Sequence, residues 1–136
     1  MSGPSRVPGG VPAGASGHDR DFYAIADRYL DDLFRSHPTA ATIAGYHRYD
    51  ALLDDWGTAA VLDRVERIGL YRGELRRIEP ARLSDGARVD HRIVTTDVES
   101  ELFTAQDLRP HERDPQFHID LLGNAILYLT LQDEAS

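Results

Sequence analysis

The residues with the most chemistry per position lie between Gly45 and Asp50: Gly45-Tyr46-His47-Arg48-Tyr49-Asp50. Two phenols, an imidazole and a guanidinium in an aperiodic stretch can rim a substrate cleft. Arg48 is suited to hold a carboxylate through paired N–H donors. Tyr46, His47, Arg48 and Tyr49 are therefore the candidate substrate-cleft residues. The same side chains admit an architectural reading. In it the tyrosines pack the loop onto helices, and Arg48 pairs with Asp50 or Asp54.

The histidines come next. His111-Glu112 begins like the zinc helix H-E-x-x-H, in which two imidazoles one helical turn apart share a metal and the Glu activates water. Here position 115 is proline and the next histidine is His118, seven residues on. Proline breaks the helix that the metal would need. A three-histidine site from His47, His91 and His118 is conceivable on paper, against His91 as a solvent-facing residue beside Asp90. We expect neither catalytic nor metal-ligating residues in this chain. Acids crowd at Asp50, Asp54 and Asp55, and again at Asp97, Glu99 and Glu101. Paired carboxylates do acid–base work only when burial separates their pKa values, and on helix surfaces they are usually solvated.

Helices must position these groups. Phe22, Ala26, Tyr29, Leu30, Leu33 and Phe34 recur at helical spacing, so a first helix is expected over about Asp19–Ser36. His37-Pro38 ends it. Pro38 then opens a short turn that Gly45 terminates. A second long helix is expected from Thr58 to Ile78, with Val61, Val65, Ile68, Tyr71, Leu75 and Ile78 on one side. A third runs from Ser84, its N-cap, to Gln106, with Val89, Ile93, Val94, Val98, Leu102 and Phe103 as apolar positions. A fourth begins at Asp114-Pro115, an acid cap followed by proline, and reaches at least Leu131. The fold class is all-α, about four helices, part of a larger mostly helical fold.

Composition narrows the field. The chain has 136 residues, no cysteine and a net charge of −8; all 15 basic residues are arginine. Without lysine there is no P-loop and no Schiff base. Without cysteine there is no disulfide framework or thiolate metal site. The acidic balance argues against nucleic acid as a partner. Residues 1–18 hold five glycines and three prolines; they read as a disordered tail, leaving 19–136 as the helical domain. No signal peptide or membrane span is visible, so the expected location is the cytoplasm.

The order of landmarks carries a resemblance. Pro38, Ala41, Thr42, Gly45, Tyr49 and Asp50 fill a pattern P-x-x-A-T-x-x-G-x-x-x-Y-D, and Asp114, Pro115 and Phe117 follow after long helices. Over about residues 19–131 the chain resembles the N-terminal region of the bacterial family called domain of unknown function 885. The resemblance implies a parent similar to helical zinc metallopeptidases, with an H-E-x-x-H helix in its C-terminal half. These 136 residues contain no such helix, so the zinc expected in a full-length member has no ligands here.

The last helix sets the expected partner. From Ile119 to Leu131, nine of thirteen residues are apolar and they face all round. A surface helix keeps a polar face. This one is expected to meet a missing C-terminal region or another copy of the chain; the plain alternative is a four-helix bundle with this helix at its centre.

Overall fold

The computed structural model describes residues 11–133. Four long helices dominate: α1 (Gly17–Ser36), α3 (Thr58–Arg77), α4 (Asp85–Phe103) and α6 (Pro115–Asp133). Two short ones, α2 (Pro38–Ile43) and α5 (Pro110–Arg113), lie between them. There is no strand among the described residues, and the all-α expectation holds. Of the expected tail, residues 1–10 lie outside the described residues. Further on, the helical boundary moves from Asp19 to Gly17. The reason is a capping box: Ser16 Oγ accepts from Asp19 N–H, and the Asp19 carboxylate accepts from Ser16 N–H. Two otherwise orphaned donors are thereby satisfied. Val11 also packs against the core.

Helices α1, α3 and α4 pack on one another around a single core. Phe22, Tyr29, Ile68, Leu75, Val98 and Leu102 are buried there. Each comes from an apolar position expected at helical spacing. Val89, Ile93 and Phe103 do not reach this core and are about half exposed. At 100° per residue they fall on the side of α4 opposite Val94, Val98 and Leu102. The neighbours α1 and α3 cover only one side, so these three expected apolar positions are corrected to an outer face.

Breaks fall where the sequence places them. His37 N–H still reaches Leu33 O, and Pro38 then opens α2 as its first residue. Gly45 follows α2 at φ +80°; its N–H bonds Thr42 O, and Tyr46 N–H bonds Ala41 O. That is a Schellman closure, which needs a left-handed residue where glycine sits. Beyond Phe103 the chain widens into one π-type turn, Thr104–Leu108. Arg109 then takes a left-handed conformation (φ 45°, ψ 55°) before Pro110. Asp114 caps α6, its carboxylate accepting from Gln116 N–H at 3.0 Å.

Candidate functional site

Tyr46, His47, Arg48 and Tyr49 follow the Schellman closure, the last three as a 3-10 turn. Their polar ends turn toward acids of this chain. Tyr49 Oη donates to Asp31 Oδ1 at 2.9 Å, Tyr46 Oη reaches the same oxygen at 3.4 Å, and so does Arg48 Nη1. His47 Nδ1 lies 2.9 Å from Asp50 Oδ2, and Asp50 Oδ1 accepts from Thr42 Oγ1 at 2.6 Å. Tyr46 is only 2% exposed and its ring packs on Phe34. The four candidates are together, fastened to Asp31 on α1 and to Asp50. Arg48 pairs with Asp31 rather than with Asp50 or Asp54. Desolvation, then the hydrogen bond to Asp31, holds the Tyr49 phenol above its ordinary pKa.

A second polar centre is deeper, and sequence reasoning missed its key residue. His37, at the α1–α2 junction, lies between two carboxylates: Nδ1 is 3.5 Å from Asp54 Oδ2, and Nε2 is 3.5 Å from Glu101 Oε1. Arg64 of α3 reaches the same Glu101 oxygen at 3.7 Å. Tyr29 Oη donates to the other Glu101 oxygen at 3.2 Å. Asp54 also accepts the Thr39 N–H at 3.1 Å, meeting an orphan donor in the first turn of α2. The Arg64 guanidinium lies 4.3 Å over the Trp56 ring, a cation–π distance.

The His37 imidazole and the Arg64 guanidinium face the carboxyl groups of Asp54 and Glu101. Burial disfavours a charged imidazole, yet Asp54 and Glu101 outweigh it and hold His37 above its ordinary pKa. Burial likewise pushes Asp54 up, and the bonds from His37 and Thr39 bring it below the usual carboxylate range. Burial lowers Arg64. Both imidazole nitrogens face acids, so His37 has no free nitrogen for general base work. The centre is a latch joining α1, the 54–56 loop, α3 and α4. A spacing signal for it was hard to see, because its members stand at positions 37, 54, 64 and 101.

The acids do more than solvate helix surfaces. Each of the five tyrosines whose side chain is described donates to a carboxylate: Tyr23 to Asp90, Tyr29 to Glu101, Tyr46 and Tyr49 to Asp31, Tyr71 to Asp32. Burial and the acid partner push the Tyr23 and Tyr71 hydroxyls up to about 12.

The remaining histidines are dispersed. His91 Nε2 meets Leu75 O at 3.1 Å and its ring packs edgewise on Phe22, so it faces the core rather than solvent. His118 Nε2 lies 2.8 Å from His111 O. Among the described residues, no group of three or more histidine or acidic side chains is placed to hold a metal ion.

Helix α6 carries several exposed apolar side chains. Phe117 anchors its first turn, 4.6 Å edge-on to Trp56. Beyond that, Ile119, Leu122, Ile126 and Leu127 are 62%, 59%, 64% and 53% exposed. The alternative of a bundle centred on this helix is thereby corrected: its described apolar residues lie outside the core formed by α1, α3 and α4. No helix among the described residues is long and apolar enough to cross a membrane. The chain matches no protein family, no curated protein and no solved structure.

Proposed function

We propose that this chain is the N-terminal helical scaffold of a larger, cytoplasmic, metallopeptidase-like hydrolase, and that it is non-catalytic by itself. The observation that carries this reading is the exposed apolar face of α6. Four large aliphatic side chains in water are costly, at roughly 1.5–3 kcal/mol each relative to full burial. A continuous patch of this kind marks a surface that another element covers. The order of landmarks from Pro38 to Phe117 supports a metallopeptidase-like parent. In that parent, zinc and its H-E-x-x-H helix would belong to residues other than these.

The second reading is a helical binding module that self-associates through α6. It is favoured by the segment 121–131, which carries no charged residue. Two copies of that face would meet without charge repulsion.

Two measurements test these readings. Light scattering and hydrophobic-dye binding on the 136-residue chain should show dye uptake or association. Leu122→Asp with Ile126→Asp should abolish it without lowering the thermal midpoint. A folded monomer that binds no dye contradicts both readings. The genomic coding frame separates them: continuation past Ser136 into an H-E-x-x-H helix supports the scaffold, and a stop codon with a defined oligomer supports the module.

A further inference from the structure

Trp56 stands between the His37 latch and the start of α6. Toward the latch, the Arg64 guanidinium lies 4.3 Å over its ring and the His37 ring packs with centroids 5.4 Å apart. Toward α5 and α6, His111 stacks at 5.9 Å and Phe117 meets it edge-on at 4.6 Å. The loop carrying Trp56 has no helix over residues 52–56. Asp54 ties that loop down, its carboxylate facing His37 and accepting the Thr39 N–H. Helix α6 packs chiefly on α2 and α5. His37 is the N-cap residue of α2. The latch therefore supports both the Trp56 ring and one of the helices on which α6 rests.

The two protonation states of His37 serve its acids unequally. A protonated imidazole can donate from both nitrogens, to Asp54 and to Glu101. A neutral one donates from one nitrogen and turns a lone pair on the other carboxylate. One acid then loses its partner. Glu101 keeps the Tyr29 hydroxyl at 3.2 Å and Arg64 at 3.7 Å, and it sits on helix α4. Asp54 keeps only the Thr39 N–H. Its side chain is 6% exposed, and an anion buried that far without a counter-charge is costly. Asp54 is the acid that can leave for water, and Trp56 follows two residues later.

We infer that His37 is a proton-operated catch for helix α6. Its protonated form keeps the 54–56 loop and Trp56 seated against Phe117. Loss of that proton lets the loop and α6 loosen together while α1, α3 and α4 stay packed. Those three helices share their own apolar cluster, so a local opening of this kind leaves them intact. The charged groups facing His37 are Asp54 from the loop, Glu101 from α4 and Arg64 from α3. Burial opposes the charged ring, and the two acids outweigh it. The proton is therefore held beyond about pH 6.5 and lost as pH rises through the folded value. The catch governs how α6 is held and does not depend on what covers α6.

Amide hydrogen exchange on the full 136-residue chain tests it, read as protection factors at pH 6 and pH 8.5. Protection over residues 116–124 should fall at least about tenfold between the two, while amides around Ile68 and Val98 keep theirs. The midpoint of the fall should match the titration of the His37 ring followed by NMR. His37→Gln should show the low α6 protection at both pH values. If that variant does not fold, Phe117→Ala leaves the latch intact and should likewise remove the pH step. Equal α6 protection at both pH values would overturn the catch, as would an equal loss around Val98. A step retained in Phe117→Ala would overturn it too. So would a step retained in His37→Gln, because His111 and His118 are the other imidazoles beside Trp56 and Phe117.

Discussion

Asp19 accepts the backbone N–H of Ser84 at 3.0 Å, across 65 residues of chain. The same carboxylate closes the capping box with Ser16, and Ser84 is itself the N-cap of α4. One side chain thus fixes the starts of α1 and α4 together. The Ser84 N–H is the leading reason the Asp19 pKa lies below its ordinary value.

Asp19→Ala should lower the thermal midpoint by about 5 °C, a typical consequence of losing a cap in a domain near this size. Because the folded pKa is depressed, Asp19 stabilises the fold above its unfolded pKa, and that contribution is lost as pH falls through the folded value. Thermal melts of wild type and Asp19→Ala from pH 6 down to pH 2 check this. The two curves should converge at the acid end.

The His37 latch has the opposite pH sign on its alkaline side. The folded pKa of His37 is raised, so its contribution is complete below about 6.5, the unfolded value. It fades as pH rises through the folded pKa. Asp54, whose pKa is lowered, loses its contribution as pH falls through its own folded value. The latch is therefore strongest in mildly acidic solution. His37→Asn should cost roughly 2–3 kcal/mol at pH 6, since it leaves two buried carboxylates short of a cation. Urea unfolding at pH 6 and pH 9 should show a smaller penalty at pH 9; an equal penalty would remove the charge from the explanation.

Gly45 offers a backbone test. Its φ of +80° is a conformation L-residues rarely adopt, and nothing lies within 4 Å of an added Cβ. Gly45→Ala should therefore cost about 1–2 kcal/mol through strain alone, and Gly45→Asn less, since asparagine tolerates the left-handed region. Chemical denaturation of the two variants separates strain from crowding, because crowding would penalise asparagine more.

The loop tether is measurable in the same way. Asp31→Ala removes the acceptor shared by Tyr46, Arg48 and Tyr49. It should destabilise the chain by about 1–2 kcal/mol. Arg48→Ala, at a solvent-exposed ion pair, should leave the midpoint unchanged. Equilibrium unfolding of both chains decides whether the tyrosines or the arginine hold the turn.

Helix α6 makes an edge-on aromatic contact at its start, beside its packing on α2 and α5. Phe117→Ala removes the edge-on packing against Trp56. Trp56 emission should shift to longer wavelength, while the midpoint of the α1–α3–α4 core falls by no more than about 1 kcal/mol equivalent, since Phe117 is only partly buried. Coincident loss of Trp56 signal and core unfolding would show that α6 is integral to the bundle.

What local chemistry controls was legible from the residues alone. Proline at 38 and 115, glycine at 45, serine at 84 and aspartate at 114 act on their immediate neighbours, so helix boundaries could be placed to within a few residues. Apolar spacing likewise marked Phe22, Tyr29, Ile68, Leu75, Val98 and Leu102 as core. The two helical residues before Asp19 were less visible, because the glycine-rich stretch around Ser16 obscured a cap that depends on one hydroxyl. The loop candidates Tyr46 to Tyr49 were recognisable as a group. Their common anchor was not, since Asp31 lies in the preceding helix among other acids.

The amino-acid sequence by itself determined the helices, their stops, the absence of lysine and cysteine chemistry, and the excess of apolar residues in α6. Those properties follow from nearest neighbours and composition. Only the tertiary structure decided which side of α4 was covered, which acids became partners of tyrosines, and that His37, Asp54, Arg64 and Glu101 meet. The physical reason is that a buried charge is stable only where its counter-charge arrives, and that arrival depends on how three helices pack rather than on the order of residues along any one of them.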